Sequence, residues 1–188
     1  MARVWADYEA REIATPRLLL EPLTAWHADV LHPAASDPAL YVYLADEAPR
    51  GPKALSRRYG EAAAHETEPL LWLKWAVRLS SRGYVGVAEL RMEEPGIANI
   101  AWMIFTEHQR KGYAREFVAA LVAHAHEVIG IECLRATIDA RNVASLRTAA
   151  SCGFARVATR EAKRKGRIVT EEVWEYRAHP IHGVTASG

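Results

Sequence analysis

The stretch "GIANIAWMIFTEHQRKGYAREF", Gly96 to Phe117, decides the fold. Its first half, Ile97 to Phe105, is almost continuously apolar and lacks clean alternation, the pattern of a central strand covered on both faces. Its second half sets Arg110, Lys111 and Arg115 around Gly112. Apolar residues then follow at 117, 118, 121, 122, 125, 128 and 129, a helical stripe that stops at Gly130 in a C′ position. A strand that gives way to a helix leaves the first N–H groups of that helix unpaired and partly positive, which makes an anion site. Gly112 carries no Cβ and lets backbone come close to a ligand. The chemistry suits a phosphate or pyrophosphate.

Working outward, "LLWLKWAVRLS" and "GYVGVAELRM" read as strands joined to one another through "SRG" and to the central strand through "EEPG". Upstream, "RLLLEPL" is a short strand. "TAWHADVLHPAASDPAL" is a helix broken by Pro33 and finished near Pro38, and a second helix runs from Pro52 through "ALSRRYGEAAAHE". Downstream, "LRATID" is a strand. "RNVASLRTAASCGF" is a short helix with Asn142 as N-cap, Ser145 at N3 and Gly153 as its stop. "FARVATREAKRK" and "IVTEEVWEYR" form a closing hairpin that turns near Gly166. The order β-α-α-β-β-β-α-β-α-β-β predicts an α/β (α+β) fold. A mixed, mostly antiparallel sheet of six to seven strands is flanked by about four helices. Residues 1–14 are expected as an extension, 15–178 as the single domain and 179–188 as a disordered tail.

The chain has 188 residues, 50% hydrophobic and 25% charged, which suits one globular domain. A formal net charge of +1 argues against direct DNA binding. The start, "MARVWADYEAREIATPR", has no apolar core like that of a signal peptide, and no apolar run is long enough to span a membrane. Cys133 and Cys152 have neither metal-ligand nor redox spacing and fit reduced thiols in a cytoplasmic protein. His124 and His126 stand two apart on a helix, face different ways and form no metal pair, so no metal is expected. Trp72, Trp75 and Trp102 fall on adjacent strands, where packing is their expected role.

The common nucleotide motifs do not fit the loop. There is no G-x-x-x-x-G-K-[ST], and Gly112 is the only glycine between Gly96 and Gly130, which removes G-x-G-x-x-G. "QRKGYA", Gln109 to Ala114, does match Q/R-x-x-G-x-G/A, and on that motif the chain resembles the GCN5-related N-acetyltransferases. Within them it looks like the ribosomal-protein N-terminal acetyltransferase type. "TPRLLL", "GYARE", Asn142 to Ser145 ("NVAS") and "CGF" at Cys152 to Phe154 appear in that branch's order over about residues 15 to 177.

That resemblance implies acetyl-CoA as co-substrate and a primary amine, on a protein N-terminus or a small molecule, as acceptor. It implies that Arg110, Lys111, Gly112, Tyr113, Ala114 and Arg115 hold the pyrophosphate. The backbone of Met103, Ile104 and Phe105 would hold the acetyl and pantetheine groups, with Asn142 contacting the pantetheine arm. Ser145 would protonate the leaving thiolate. Arg115 is a departure, because relatives often carry a small hydroxyl residue there. Relatives place glutamates as general base where this chain has Asn99 and Arg164. Glu89 and Glu161 lie nearby and read as surface carboxylates. Arg160, Lys163, Arg164, Lys165 and Arg167 make the final hairpin basic. Such a charge run reads first as a solvated turn; the sharper reading is a basic rim that disfavours polycations and favours acidic or RNA-associated acceptors. A monomer or homodimer is expected, and a non-catalytic acyl-CoA-binding module is the alternative of another class.

Overall fold

The computed structural model describes residues 8–60, 71–79 and 83–177. The chain begins with β1 (Ile13–Ala14), β2 (Leu18–Pro22) and α1 (His27–Ala35), then a 3₁₀ turn (Pro38–Tyr41) and α2 (Pro52–Gly60). Three antiparallel strands follow, β3 (Trp72–Leu79), β4 (Tyr84–Glu94) and β5 (Ile97–Ile104). A 3₁₀ turn (Thr106–His108) leads to α3 (Tyr113–His124), which continues as a π turn (Ala125–Ile129). β6 (Cys133–Asp139), α4 (Val143–Ser151), β7 (Ala155–Arg164) and β8 (Arg167–Arg177) complete the order. Eight strands form one sheet in the order β1-β2-β3-β4-β5-β6-β8-β7, and the parallel contact is that between β5 and β6. The two-residue β1, with nothing in its composition to mark it, extends the sheet beyond the six or seven strands expected.

Strand alternation sends residues to two separate cores. Trp75, Leu90, Ile100 and Leu134 pack against Phe117 and Leu121 of α3. Ala76 and Phe105 lie on the opposite face against Leu31 of α1 and Leu55 of α2. Burying each large side chain of this kind stabilises the fold by roughly 1.5–3 kcal/mol. Trp75 is wholly buried and donates its indole N–H to the Arg11 carbonyl at 2.8 Å, so it is core.

Several sequence expectations are corrected. Pro33 lies inside α1 rather than breaking it. The proline lacks an N–H for the carbonyl one turn back, but the helix ends two residues later. Ser36 then closes the end, donating its backbone N–H and hydroxyl to His32 O at 2.9 and 2.6 Å. The expected continuation of α2 past Gly60 falls outside the described residues. Val128 is 46% exposed, although the helical stripe places it inside. The π turn inserts one extra residue, so Ala125 and Ile129 stay buried while Val128 rotates outward. β5 is not covered on both faces, because Ala101 is exposed and the strand borders an open cleft.

Candidate active site

β5 and β6 pair only over Ile97–Asn99 and Cys133–Arg135. Beyond Asn99 the two parallel strands diverge, and at the carboxyl end of each a helix begins. This is the place where open sheets bind ligands. The backbone of β5 is sorted by alternation. The Phe105 N–H donates to Val85 O at 2.9 Å, and Met103 stands opposite Val87, so the odd residues turn their N–H and C=O groups towards β4. Ile100, Trp102 and Ile104 therefore turn theirs to the diverging side, where β6 offers no register partner. Phe105 is further occupied because its carbonyl accepts from His108 N at 2.8 Å. Of the three residues read as acetyl and pantetheine contacts, Ile104 alone presents backbone to the gap. Met103 points its side chain into the cleft, and Trp102, not among the residues expected there, also turns its backbone to the gap.

The loop before α3 is built as an anion nest. Arg110 has φ 59° and Gly112 φ 80°, two left-handed residues that turn successive N–H groups inward. Among the described residues, the N–H groups of 110–115 donate to no backbone carbonyl. Arg110, Lys111 and Arg115 are exposed around it. Lys111 is tethered, its Nζ donating to Glu107 O at 2.8 Å, and Gln109 donates from Nε2 to Ile104 O at 3.1 Å. These contacts tie the nest to the end of β5, and the donor set fits a pyrophosphate.

The nest is braced from the far end of the chain. Glu116, in the first turn of α3, accepts from Thr15 Oγ1 at 2.7 Å, from the Arg17 N–H at 2.9 Å and from Arg17 Nε at 2.6 Å. Arg17 also donates from Nη1 to Lys111 O at 3.2 Å, and its guanidinium covers the Tyr113 ring at 4.7 Å. "TPRL" and "GYARE", about a hundred residues apart, are thus one device. Neither stretch alone reveals it; the signal is a Thr-x-Arg and a glutamate that share no local role.

On the β6 side, Asn142 caps α4, its Oδ1 accepting from Ser145 N at 3.2 Å, and its amide N–H groups stay available. Ser145 is half-buried in the first turn of α4, and its hydroxyl has no hydrogen-bond partner among the described residues. The thiol of Cys152 lies 3.6 Å from Arg115 O and links α4 to the nest helix. Its pKa is raised, chiefly by burial, which keeps it an inert thiol.

An open cleft of about 650 Å³ lies on the α1–α2 face, with Glu89, Asn99, Met103, Arg135, Arg160 and Arg164 in its lining. Asn99 and Arg164 do stand there, and neither serves as a base. Glu161 is exposed and away from the cleft. Glu89 is not a surface carboxylate: it is half-buried in the lining, and Trp72 Nε1 donates to its Oε2 at 3.2 Å. Arg164 and Arg160 both donate to Glu171, which is 1% exposed; Arg164 Nε is 2.7 Å and Arg160 Nε 3.0 Å from its oxygens. Arg135 binds the buried Glu175 at 2.8 Å.

Comparison with known proteins gives a consistent outcome. A family model described as an acetyltransferase (GNAT) domain matches residues 17–155. No curated protein matches the sequence. Among solved structures, a GNAT-family acetyltransferase from Bacillus anthracis superposes with a TM-score of 0.78 at 16% identity, over 88% of this chain and 98% of that one. A spermidine N-acetyltransferase from Vibrio cholerae, solved with CoA and spermine, gives 0.73 at 16% identity, over 85% of this chain and 95% of that one. A protein described as a ribosomal-protein-serine acetyltransferase from Vibrio cholerae gives 0.72 at 20% identity, over 92% of this chain and 99% of that one.

Proposed function

Because the chain belongs to the GNAT acetyltransferase family and so transfers acetyl from acetyl-CoA, we propose that its acceptor is the N-terminal amine of a protein. The observation that carries this reading is the continuity of three features along the split between β5 and β6. The anion nest, the β5 backbone at Trp102 and the Ile104 N–H that face no β6 partner, and a cleft holding a carboxylate succeed one another. The width and openness of the cleft suit the end of a peptide. The "TPRL", "GYARE" and "NVAS" stretches resemble those of the N-terminal acetyltransferase type.

In this reading residues 110–115 grip the pyrophosphate and the β5 edge aligns the pantetheine. Backbone N–H groups there also support the oxyanion as the amine adds to the thioester carbonyl. Glu89 takes the proton from the amine. It stands opposite Ala101, and Met103 is two residues further along β5, about 7 Å along the strand, a span that the glutamate side chain shortens towards the amine. The C–N bond forms, the C–S bond breaks, and the thiolate takes its proton from the Ser145 hydroxyl, which water restores. A thiol pKa near ~8.5 makes the thiolate a fair leaving group, so the Ser145 contribution is modest.

The test is thiol release from acetyl-CoA with peptides beginning in Ala or Ser, free amino acids and polyamines. Peptides should give the highest kcat/KM; a polyamine ahead of every peptide would sink the reading. Glu89→Gln should lower kcat about 100-fold and Ser145→Ala about tenfold, each with acetyl-CoA affinity little changed.

A further inference from the structure

The charge on the cleft wall says more about the acceptor. Among the described residues, the acidic side chains in the lining are Glu89 and Asp46, against Arg58, Lys74, Arg91, Arg135, Arg160 and Arg164. The decisive cluster is on the β7–β8 wall, where two guanidiniums, Arg160 and Arg164, share the single carboxylate of Glu171. Glu171 is 1% exposed, so the negative charge lies behind while the cations face the cleft. Arg164 bonds Oε1 and Arg160 bonds Oε2, so two guanidiniums face one carboxylate and leave a net positive charge with N–H donors turned to the cleft.

The register places this charge relative to the chemistry. β5 and β6 are in step at Asn99 and Arg135, and carrying that step four residues on sets Met103 level with Asp139. Asp139 faces Glu171, and Glu171 faces Arg160. Asp139, Glu171 and Arg160 therefore lie on one paired row, with Met103 level with it across the gap where β5 and β6 diverge. Two strand steps of about 4.8 Å separate Asp139 from the Arg160 backbone, and the wider gap between the diverged β5 and β6 adds more than one further step to the acetyl position. The arginine side chain covers part of that span, and the rest takes about two extended residues at roughly 3.3 Å each.

We propose that the acceptor carries a carboxylate two or three residues after its amine, and that Arg160 and Arg164 bind it. The inference rests on the peptide reading above and names its substrate class: N-termini with Asp or Glu near the start. Among the described residues of the lining, basic side chains outnumber acidic ones, which disfavours a polycation.

The experiment compares peptides that begin with Ser and carry Glu, Ala or Lys at the third and fourth positions, alongside spermidine and small amino acids. The acidic peptide should have a KM about tenfold below the neutral one, the size of a charge-assisted hydrogen bond. Its KM should also rise with added salt. Arg160→Gln and Arg164→Gln each leave Glu171 with one partner, so both should fold. Each should bring the acidic-to-neutral KM ratio towards one, and Arg160→Lys should restore part of it. Equal kcat/KM across the three peptides, or a preference that survives both substitutions, overturns the proposal and leaves peptide acetylation intact. Turnover confined to small amino carboxylates overturns the peptide reading and keeps the anion site. Turnover of no acceptor sinks both.

Discussion

Glu116 shows how much one residue can carry at the cofactor loop. Burial alone would raise its carboxyl, but the Thr15 hydroxyl, the Arg17 N–H and the Arg17 guanidinium outweigh that and hold it below the ordinary 4.5. The folded state thus binds this proton less readily than the unfolded chain. The brace is at full strength above about pH 4.5 and is lost as the pH falls through the lower folded value. Glu116→Gln keeps the shape and removes the charge. It should cost about 1–3 kcal/mol of stability, read as a lower Tm, because bonds to a charged acceptor are weakened. It should also raise the acetyl-CoA Kd about tenfold, because the nest loses its tie to Arg17 while its own donors remain. A variant with wild-type Kd would show that the nest holds its shape without the brace. At Gly112 the effect is direct: φ 80° strains any side chain, and Gly112→Asp also sets a carboxylate against the pyrophosphate. Acetyl-CoA affinity should fall on the order of 100-fold by calorimetry, with the fold intact by circular dichroism.

At the scale of elements, β4 and β5 leave no room for a side chain at Gly86, beside Met103. A Cβ on Gly86 would stand 2.1 Å from the Met103 carbonyl oxygen, which is backbone and cannot step aside. Gly86→Ala should therefore push β5 outward. The expected cost is about 1–3 kcal/mol in urea unfolding, with a larger loss in kcat than in pyrophosphate affinity. This contact was not legible in the sequence, because "GVAELRM" reads as an ordinary strand and its closeness to Met103 depends on pairing. The helix limits at Gly130 and Asn142 and the turn at Gly166 were legible, since left-handed glycines and an Asn cap act locally. The divergence of β5 from β6 was not. Ile97 to Phe105 looks apolar enough for burial on both faces, yet Ala101 is small enough to sit exposed beside a cleft. Glu89 was visible as a letter, and only the side of the strand it occupies separates it from Glu161. The Glu171 cluster depends on β7 and β8 pairing in register, which no local pattern encodes.

Across the whole molecule, depressed carboxyls lie at several separated places in the sheet, and this makes acid sensitivity a global property. Arg135 and Arg177 hold the Glu175 carboxyl below its ordinary value, and Arg141 does the same for Asp139. At Glu21 burial acts upward, but Tyr84, His27 and Arg78 donate to it and prevail. Each is deprotonated more readily in the folded than the unfolded chain, so each stabilises above the unfolded carboxyl range near ~4 and ceases to as the pH falls further. His124 acts earlier by the same sign. Burial, with Arg11 adding to it, lowers its pKa from 6.5, so the folded chain resists the proton that the unfolded chain takes up. Its ring stands edge-on to the Trp75 indole, 6.4 Å between centroids, where a charged imidazole loses solvation. Stability measured by urea unfolding should thus decline in two stages. A shallow fall begins below about pH 6.5 and a steep one below about pH 4. His124→Gln should remove the shallow stage and leave the steep one, because the carboxylates on β2, β6 and β8 are untouched. A shallow stage that persists in His124→Gln would assign it to another group, and a steep loss beginning near neutrality would contradict the carboxylate account.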